Sequence, residues 1–445
     1  MKFVLISPTS PRHRVQTGER PRASRYFRFS MLSSLYVAAA MPAGVETQLI
    51  DEDLREVDFD TDADLIGITF MTYNAPRAYA IADRFRNERH KPVIVGGYHP
   101  TFLPEEAIQH ADAVCIGDAE DTVPRLMEDF AAGTLKPFYR SALPDLGGLP
   151  RPDRSLIRAR DYAPVGVLQA TRGCPQDCTF CSVTAFHQHR HRTRPVDEVI
   201  DELKTLGPYV QFMDDNLIGD LDYARELFSA MIPLRKHWFS QCGIQIGQDR
   251  ELLELARRSG CNGLFIGFET LSQPGLRSWG KTANVGKDYL AIVERLHAAG
   301  IAVFAGVVFG GDQDEPDVFP RTLAFLLDAN VETLQATRLT PFPGTPLLAQ
   351  MDRDGRIFDK DWSHYDFDHV VFEPRHMSPA TLDAGVAWVV REFHAASRVT
   401  ARVRKCLRYL DPRVVLAGVV PINLGFRHGF AHDGTFERAK RFQPT

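Results

Sequence analysis

Apolar and polar positions along the 445-residue chain switch repeatedly between two periods. Short, nearly continuous apolar runs occur at 2–7 (KFVLIS), 45–50 (VETQLI), 64–70 (DLIGITF), 92–96 (PVIVG) and 112–116 (DAVCI). Runs of that length and character read as strands buried on both faces. Helical spacing fills the gaps at 30–41, 75–88 and 120–131, with an Arg-rich loop from Pro11 to about Arg28. Strand and helix in alternation predict a doubly wound, Rossmann-like parallel sheet over 1–140. Residues 141–164 are rich in Pro, Gly and Arg without a sustained period, and read as a linker. A second series follows, with strands at 165–171, 209–213, 242–246, 263–268, 301–309 and 332–339. Helices at 196–205, 221–235, 249–259, 286–299 and 316–329 lie between them. Six βα units predict an open (β/α)6 partial barrel over 165–349, with its chemistry at the carboxyl ends of the strands.

The remainder, 350–445, reads as a mostly helical cap. Ser378 and Pro379 open a helix whose stripe is Leu382, Val386, Val389, Val390 and Phe393. Arg391, Arg398, Arg402, Arg404, Lys405 and Arg408 form a basic face, expected to stand in water while the apolar stripe covers the barrel; the alternative is a basic amphipathic helix lying on a membrane surface. The run VVLAGVVPINL at 414–424 is too short to span a bilayer by itself.

Composition changes this picture little. Hydrophobic residues make up 44% and charged residues 24%, values of a soluble globular chain, and a net charge of −5 makes no case for nucleic acid. The amino-terminal run breaks at Pro8, too early for a signal sequence. No transmembrane segment is expected. Seven cysteines, an odd number without a secretion signal, place the chain in a reducing cytoplasm, with Cys115, Cys242, Cys261 and Cys406 as buried thiols.

The other three cysteines carry the chemistry. Cys174, Cys178 and Cys181 lie within eight residues, with Phe180 just before the last. Thiolates are soft ligands for iron or zinc. A zinc site would want a fourth ligand nearby, and a zinc knuckle or disulfide-bonded turn is the alternative to a [4Fe–4S] cluster with one open iron. Spacing and aromatic together resemble the signature of the radical SAM superfamily. That resemblance implies that the open iron is chelated by S-adenosylmethionine, which an electron from the cluster cleaves to a 5'-deoxyadenosyl radical.

Four further strand ends fit the same resemblance. Asp214-Asp215-Asn216 stands where the superfamily usually has a Gly-Gly-Glu-like motif, and Asp214 and Asp215 are expected near the cofactor or substrate. Glu269 resembles the ribose motif, Gly310 and Gly311 the segment that brackets adenine, and Phe180 would pack on the same base. Arg338 is a candidate for the cofactor or substrate and equally for a salt bridge. The run 96–101 (GGYHPT), followed by Pro104-Glu105-Glu106, resembles the cobalamin-binding-type domain found ahead of many radical SAM domains. No Asp-x-His-x-x-Gly motif assigns a lower-axial His, so corrin binding stays open, and His99 is read as a turn residue, with contact to a cofactor as the alternative. Asp118 and Glu120 read as part of a strand-end turn and helix cap. His187, His189 and His191 alternate in a loop without acidic or thiolate companions, and read as a solvated, cationic flank of the cluster.

The resemblance implies an enzyme that abstracts hydrogen from a carbon of a small natural-product, sugar or lipid precursor. In this subgroup the leading outcome is cobalamin-dependent C-methylation. The alternatives are cobalamin-independent dehydration of an aminoglycoside-type sugar diol, or radical cyclisation. A small-molecule substrate and a flavodoxin- or ferredoxin-type electron donor are the partners implied.

Overall fold

The computed structural model describes residues 1–9 and 28–444, so the Arg-rich loop expected from Pro11 lies, Arg28 apart, outside the described residues. The first sheet contains β1 (Lys2–Ser7), β2 (Glu46–Asp51), β3 (Leu65–Thr69), β4 (Val93–Gly96), β5 (Ala113–Ile116) and β6 (Phe138–Arg140). All pairings are parallel, in the order β2-β1-β3-β4-β5-β6. The apolar runs are continuous because both faces are covered. Val4, Ile6, Ile66 and Ile68 pack under α2 (Ala75–Arg89), while Phe3, Leu5 and Leu65 pack under α1 (Leu32–Ala39) and α3 (Ala119–Ala131). Strand order reverses between β1 and β3, and doubly wound sheets take ligands in the crevice at such a point. β6 was not foreseen. It has three residues, of which only Tyr139 is buried, so it leaves no hydrophobic run to read.

The second sheet contains β7 (Gly166–Leu168), β8 (Tyr209–Phe212), β9 (His237–Cys242), β10 (Cys261–Glu269), β11 (Ala302–Phe309) and β12 (Thr333–Arg338). They pair in parallel from β7 to β12 in sequence order, which makes a (β/α)6 partial barrel. Helices α4 (Val196–Thr205), α5 (Leu221–Met231), α6 (Arg250–Ser259), α7 (Tyr289–Ala298) and α8 (Val318–Asp328) intervene. The third strand lies earlier than the 242–246 expected. HWFSQC alternates, burying Trp238, Ser240 and Cys242. The more apolar CGIQI turns instead through a 3-10 segment, Ile244–Gly247, that buries Ile244 and Ile246. Alternation, not apolar content, marks this strand.

The tail forms α9 (Pro379–Phe393), α10 (Ala396–Cys406) and α11 (Pro412–His432). Ser378 caps α9 by accepting from the Thr381 N–H, and the whole Leu382–Phe393 stripe is buried. Two expectations are corrected here. Arg402 does not stand in water: it is buried, donating to Asn423 Oδ1 and to the Phe393 carbonyl. The 414–424 run is not a short element. Pro421 does not end it, because a π-helical turn, Val415–Val419, stands just before the proline and the helix continues. The resulting 21 residues are long and apolar enough to cross a membrane by length and composition alone.

Candidate active site

The cysteine loop leaves β7 and is held at its base by a two-residue antiparallel bridge, Thr171–Arg172 with Arg192–Thr193. Gly173 turns the chain at φ +85°, where a Cβ would stand 2.1 Å from the Arg190 carbonyl. The end of β8 fastens the loop from the other side. Asp214 accepts from the Ala170 N–H at 3.1 Å, from the Thr171 N–H, and from Thr171 Oγ1 at 2.8 Å. Asp215 accepts from the Gly173 N–H at 2.9 Å, and Asn216 Nδ2 donates to Cys174 Sγ at 3.5 Å. The Asp-Asp-Asn run is therefore a clamp on the cysteine loop, and the Asp214 carboxylate is spent on the backbone rather than offered to a ligand. Asp220, not Asp214 or Asp215, caps α5.

Burial pushes the Asp214 carboxyl up to about 7. The folded state thus binds more protons than the unfolded between the ordinary value of 3.8 and about 7, so this group's contribution to stability falls as pH rises through that window. Asp214→Asn is expected to keep the clamp and flatten that pH dependence. Asp214→Ala leaves two buried N–H groups unpaired, at about 1–3 kcal/mol each, and is expected to shed iron on desalting. Thermal melts from pH 4 to 8 and iron content measure the two outcomes.

On the far side, the Thr179 N–H donates to the Trp279 carbonyl at 2.9 Å, and the Leu347 N–H to the Thr179 carbonyl at 3.0 Å. Phe180 meets Trp279 edge-on at 5.3 Å, and a Cβ on Gly311 would lie 2.7 Å from the Trp279 ring. The amides of Gly310 and Gly311 both donate to Asp314 at 2.9 Å. Glu269 closes β10 at φ +62°, a strained conformation for glutamate, where the register with β11 shifts. Its carboxylate pairs with Lys281 Nζ at 2.7 Å. Lys281 was not foreseen from sequence, since only the fold returns this turn to the cysteines. Burial pushes the Cys178 thiol up to about 12, with Lys281 the largest opposing influence. Arg338 forms the salt bridges that were its other expectation. It is 2% exposed and pairs with Asp368 and Asp383 at 2.7 Å each, which fastens α9 to the barrel.

The donor set fits an iron–sulfur cluster. All seven cysteines are free. Three thiols on one loop, with the Lys281 ammonium alongside, suit a cluster with one open iron.

A cavity of about 560 Å³ lies at the β1/β3 reversal. Pro8, Met71, Gly96, Gly97 and Gly117 from the first sheet face Gln169, Arg172, His187 and Asp215 from the barrel side. Gly97 is required by its backbone. At φ +105° a Cβ would stand 2.6 Å from the Phe70 carbonyl. A broad cavity with a glycine floor fits a flat macrocycle. His99 is fully buried outside it, bonded to Glu106 at 3.1 Å and packed on Trp362.

The two halves of the cavity are joined by charges whose joint role the sequence reading missed. Arg172 pairs with Asp118 at 3.2 Å and with Glu120; Arg192 pairs with Asp118 at 2.8 Å. Asp118 and Glu120 are thus interdomain partners rather than a helix cap, and Asp118 makes no side-chain cap bond to α3. The histidine loop is likewise not wholly solvated. His187 is buried, accepts from Arg192 through Nδ1 at 3.0 Å, and is held neutral by burial, which lowers it to about 4. Only His189 among its three imidazoles is largely exposed.

Comparison with known proteins agrees with both halves. Residues 22–127 match the B12 binding domain family and residues 168–325 the radical SAM superfamily. The chain is 33% identical to bacteriochlorophyllide d C-12(1)-methyltransferase of Chlorobaculum tepidum, over 84% of each chain. It is 26% identical to the C-8(2)-methyltransferase of the same organism, over 89% of this chain and 91% of that one. The fold matches the radical S-adenosylmethionine methyltransferase TsrM from Kitasatospora setae, solved with cobalamin and a [4Fe–4S] cluster, over 99% of both chains with a TM-score of 0.64 at 15% identity. The chain thus belongs to the radical SAM superfamily, in its branch with an N-terminal B12-binding domain, and is a C-methylating enzyme that works with a [4Fe–4S] cluster, S-adenosylmethionine and cobalamin.

Proposed function

We propose that the enzyme methylates a carbon on the periphery of a tetrapyrrole-type macrocycle. The observation that carries this reading is the 33% identity, over 84% of both chains, to a methyltransferase named for bacteriochlorophyllide d. When bound, the cluster supplies an electron for cleavage of S-adenosylmethionine and the corrin supplies the methyl group. In this reading Cys174, Cys178 and Cys181 hold the cluster. Phe180, Trp279 and the flat Gly310–Gly311 backbone receive the adenine, and Glu269 takes the ribose hydroxyls or the ammonium. Lys281 balances charge beside the thiolates. Asp214 and Asp215 act as positioning residues through the cysteine loop. His187 carries its proton on Nε2, because Arg192 can only donate to Nδ1. The glycine-floored cavity holds the corrin and excludes water from it. The electron donor is a flavodoxin- or ferredoxin-type protein approaching the cysteine loop, where His189 and Arg190 are exposed. Free thiols throughout suit a reducing cytoplasm.

The test is anaerobic reconstitution with iron, sulfide and hydroxocobalamin, desalting, and turnover with S-adenosylmethionine, a reductant and a chlorophyllide. One corrin and about four irons per chain, with a product heavier by one methylene, are expected. Full cofactor loading with no methylation of any chlorin or porphyrin, but turnover of a hopanoid or a sugar, overturns the substrate class.

A further inference from the structure

We propose that α11 docks the enzyme onto an anionic lipid surface, lying along the headgroups rather than crossing the bilayer. The inference does not rest on the substrate reading. At about 1.5 Å per residue α11 is about 31 Å long, yet only 17% of its apolar window is buried. One side is fastened to the barrel. Val415 and Val419 are buried with Cys406 and Leu410. Asn423 is fully buried, donating to the Glu332 carbonyl at 2.9 Å and accepting from Arg402 at 2.6 Å. A helix that crossed the bilayer would strip those bonds from buried groups, so the docked face keeps α11 parallel to the protein surface.

The free side is apolar. Leu416 is 66% exposed and Leu424 54%, two turns apart, and Leu407 at the preceding corner is 47% exposed. No Asp or Glu occurs from 412 to 432. Around the same corner, Arg404, Lys405, Arg408 and Arg413 are all exposed, and none has an ion-pair partner among the described residues. Exposed leucines on α11 with basic side chains gathered at the corner before it suit burial of the leucines among lipid headgroups and attraction of the cations to anionic lipid. A second copy related by a two-fold axis through this face would bring like charges together, which disfavours it.

The test uses the full-length reconstituted enzyme sedimented with vesicles. Binding to vesicles containing phosphatidylglycerol is expected to be at least tenfold stronger than to phosphatidylcholine alone, and to weaken with salt. Leu416→Glu/Leu424→Glu is expected to lower it at least tenfold with iron and corrin loading unchanged. If that variant loads poorly, Arg404→Gln/Arg408→Gln/Arg413→Gln decides, with loss confined to the anionic vesicles. The proposal is overturned if the unmodified enzyme stays in the supernatant with anionic vesicles. It is equally overturned if the variants sediment as it does, or if light scattering finds a dimer that Leu416→Glu/Leu424→Glu dissociates and that does not sediment.

Discussion

Cys178→Ala is expected to reduce iron from about four per chain to background and to abolish cleavage of S-adenosylmethionine. Cys178 is the most buried of the three thiols, at 7% exposure, and its loop is locked from both sides by the Asp214–Asn216 run and the Trp279–Lys281 turn. Gly280 sits so close that a Cβ would lie 2.3 Å from the Asp177 carbonyl, so the loop has no slack with which to recruit a substitute ligand. Cys242 and Cys261 belong to the barrel core rather than to this loop. Cys242→Ala is therefore the control, and should keep full iron content with a modest loss of thermal stability. Corrin retention by Cys178→Ala reports whether the first sheet is intact. Cleavage retained at more than background would sink the assignment of the cluster to this loop.

Arg172→Met should uncouple the two cofactor sites. Arg172 stands two residues before Cys174, lines the cavity, and joins Asp118 and Glu120, with all three side chains under 10% exposed. Removing one partner of a buried pair leaves the remaining charge uncompensated, at about 3–5 kcal/mol. Arg192 still faces Asp118, so Glu120 is the carboxylate stranded. Corrin retained after desalting is expected to fall at least tenfold, with a smaller loss of iron. Arg172→Lys should be intermediate, because an ammonium lacks the fork that reaches two carboxylates at once. Adding Glu120→Leu to Arg172→Met should recover thermal stability and leave corrin binding weak. Unchanged corrin affinity in Arg172→Met would show that the cavity does not depend on this bridge.

The cysteine loop was legible because its three thiols lie within eight residues and, with Phe180, resemble the radical SAM signature, which implies the chemistry. The strand–helix alternation was legible for the same local reason, and Glu269, Gly310 and Gly311 could be located as strand ends. Which partners within the chain they meet there was not. The Gly310 and Gly311 amides turn to Asp314, and Glu269 turns to Lys281, twelve residues on. β9 was misplaced because a more apolar neighbour drew the assignment, although the sheet selects the alternating segment that can pair with β10.

By itself, then, the sequence determined two parallel α/β halves, a three-thiolate loop and a cap helix, each set by hydrophobic period or ligand spacing over a few residues. Only the tertiary structure decided which charges meet. Asp118 and Arg172 are 54 positions apart, Asp214 and Thr171 are 43 apart, and Arg338 reaches Asp383 across 45. Pairings of that kind leave no periodic trace in the chain, since buried charges are stabilised by whichever partner the packed elements bring within about 3 Å.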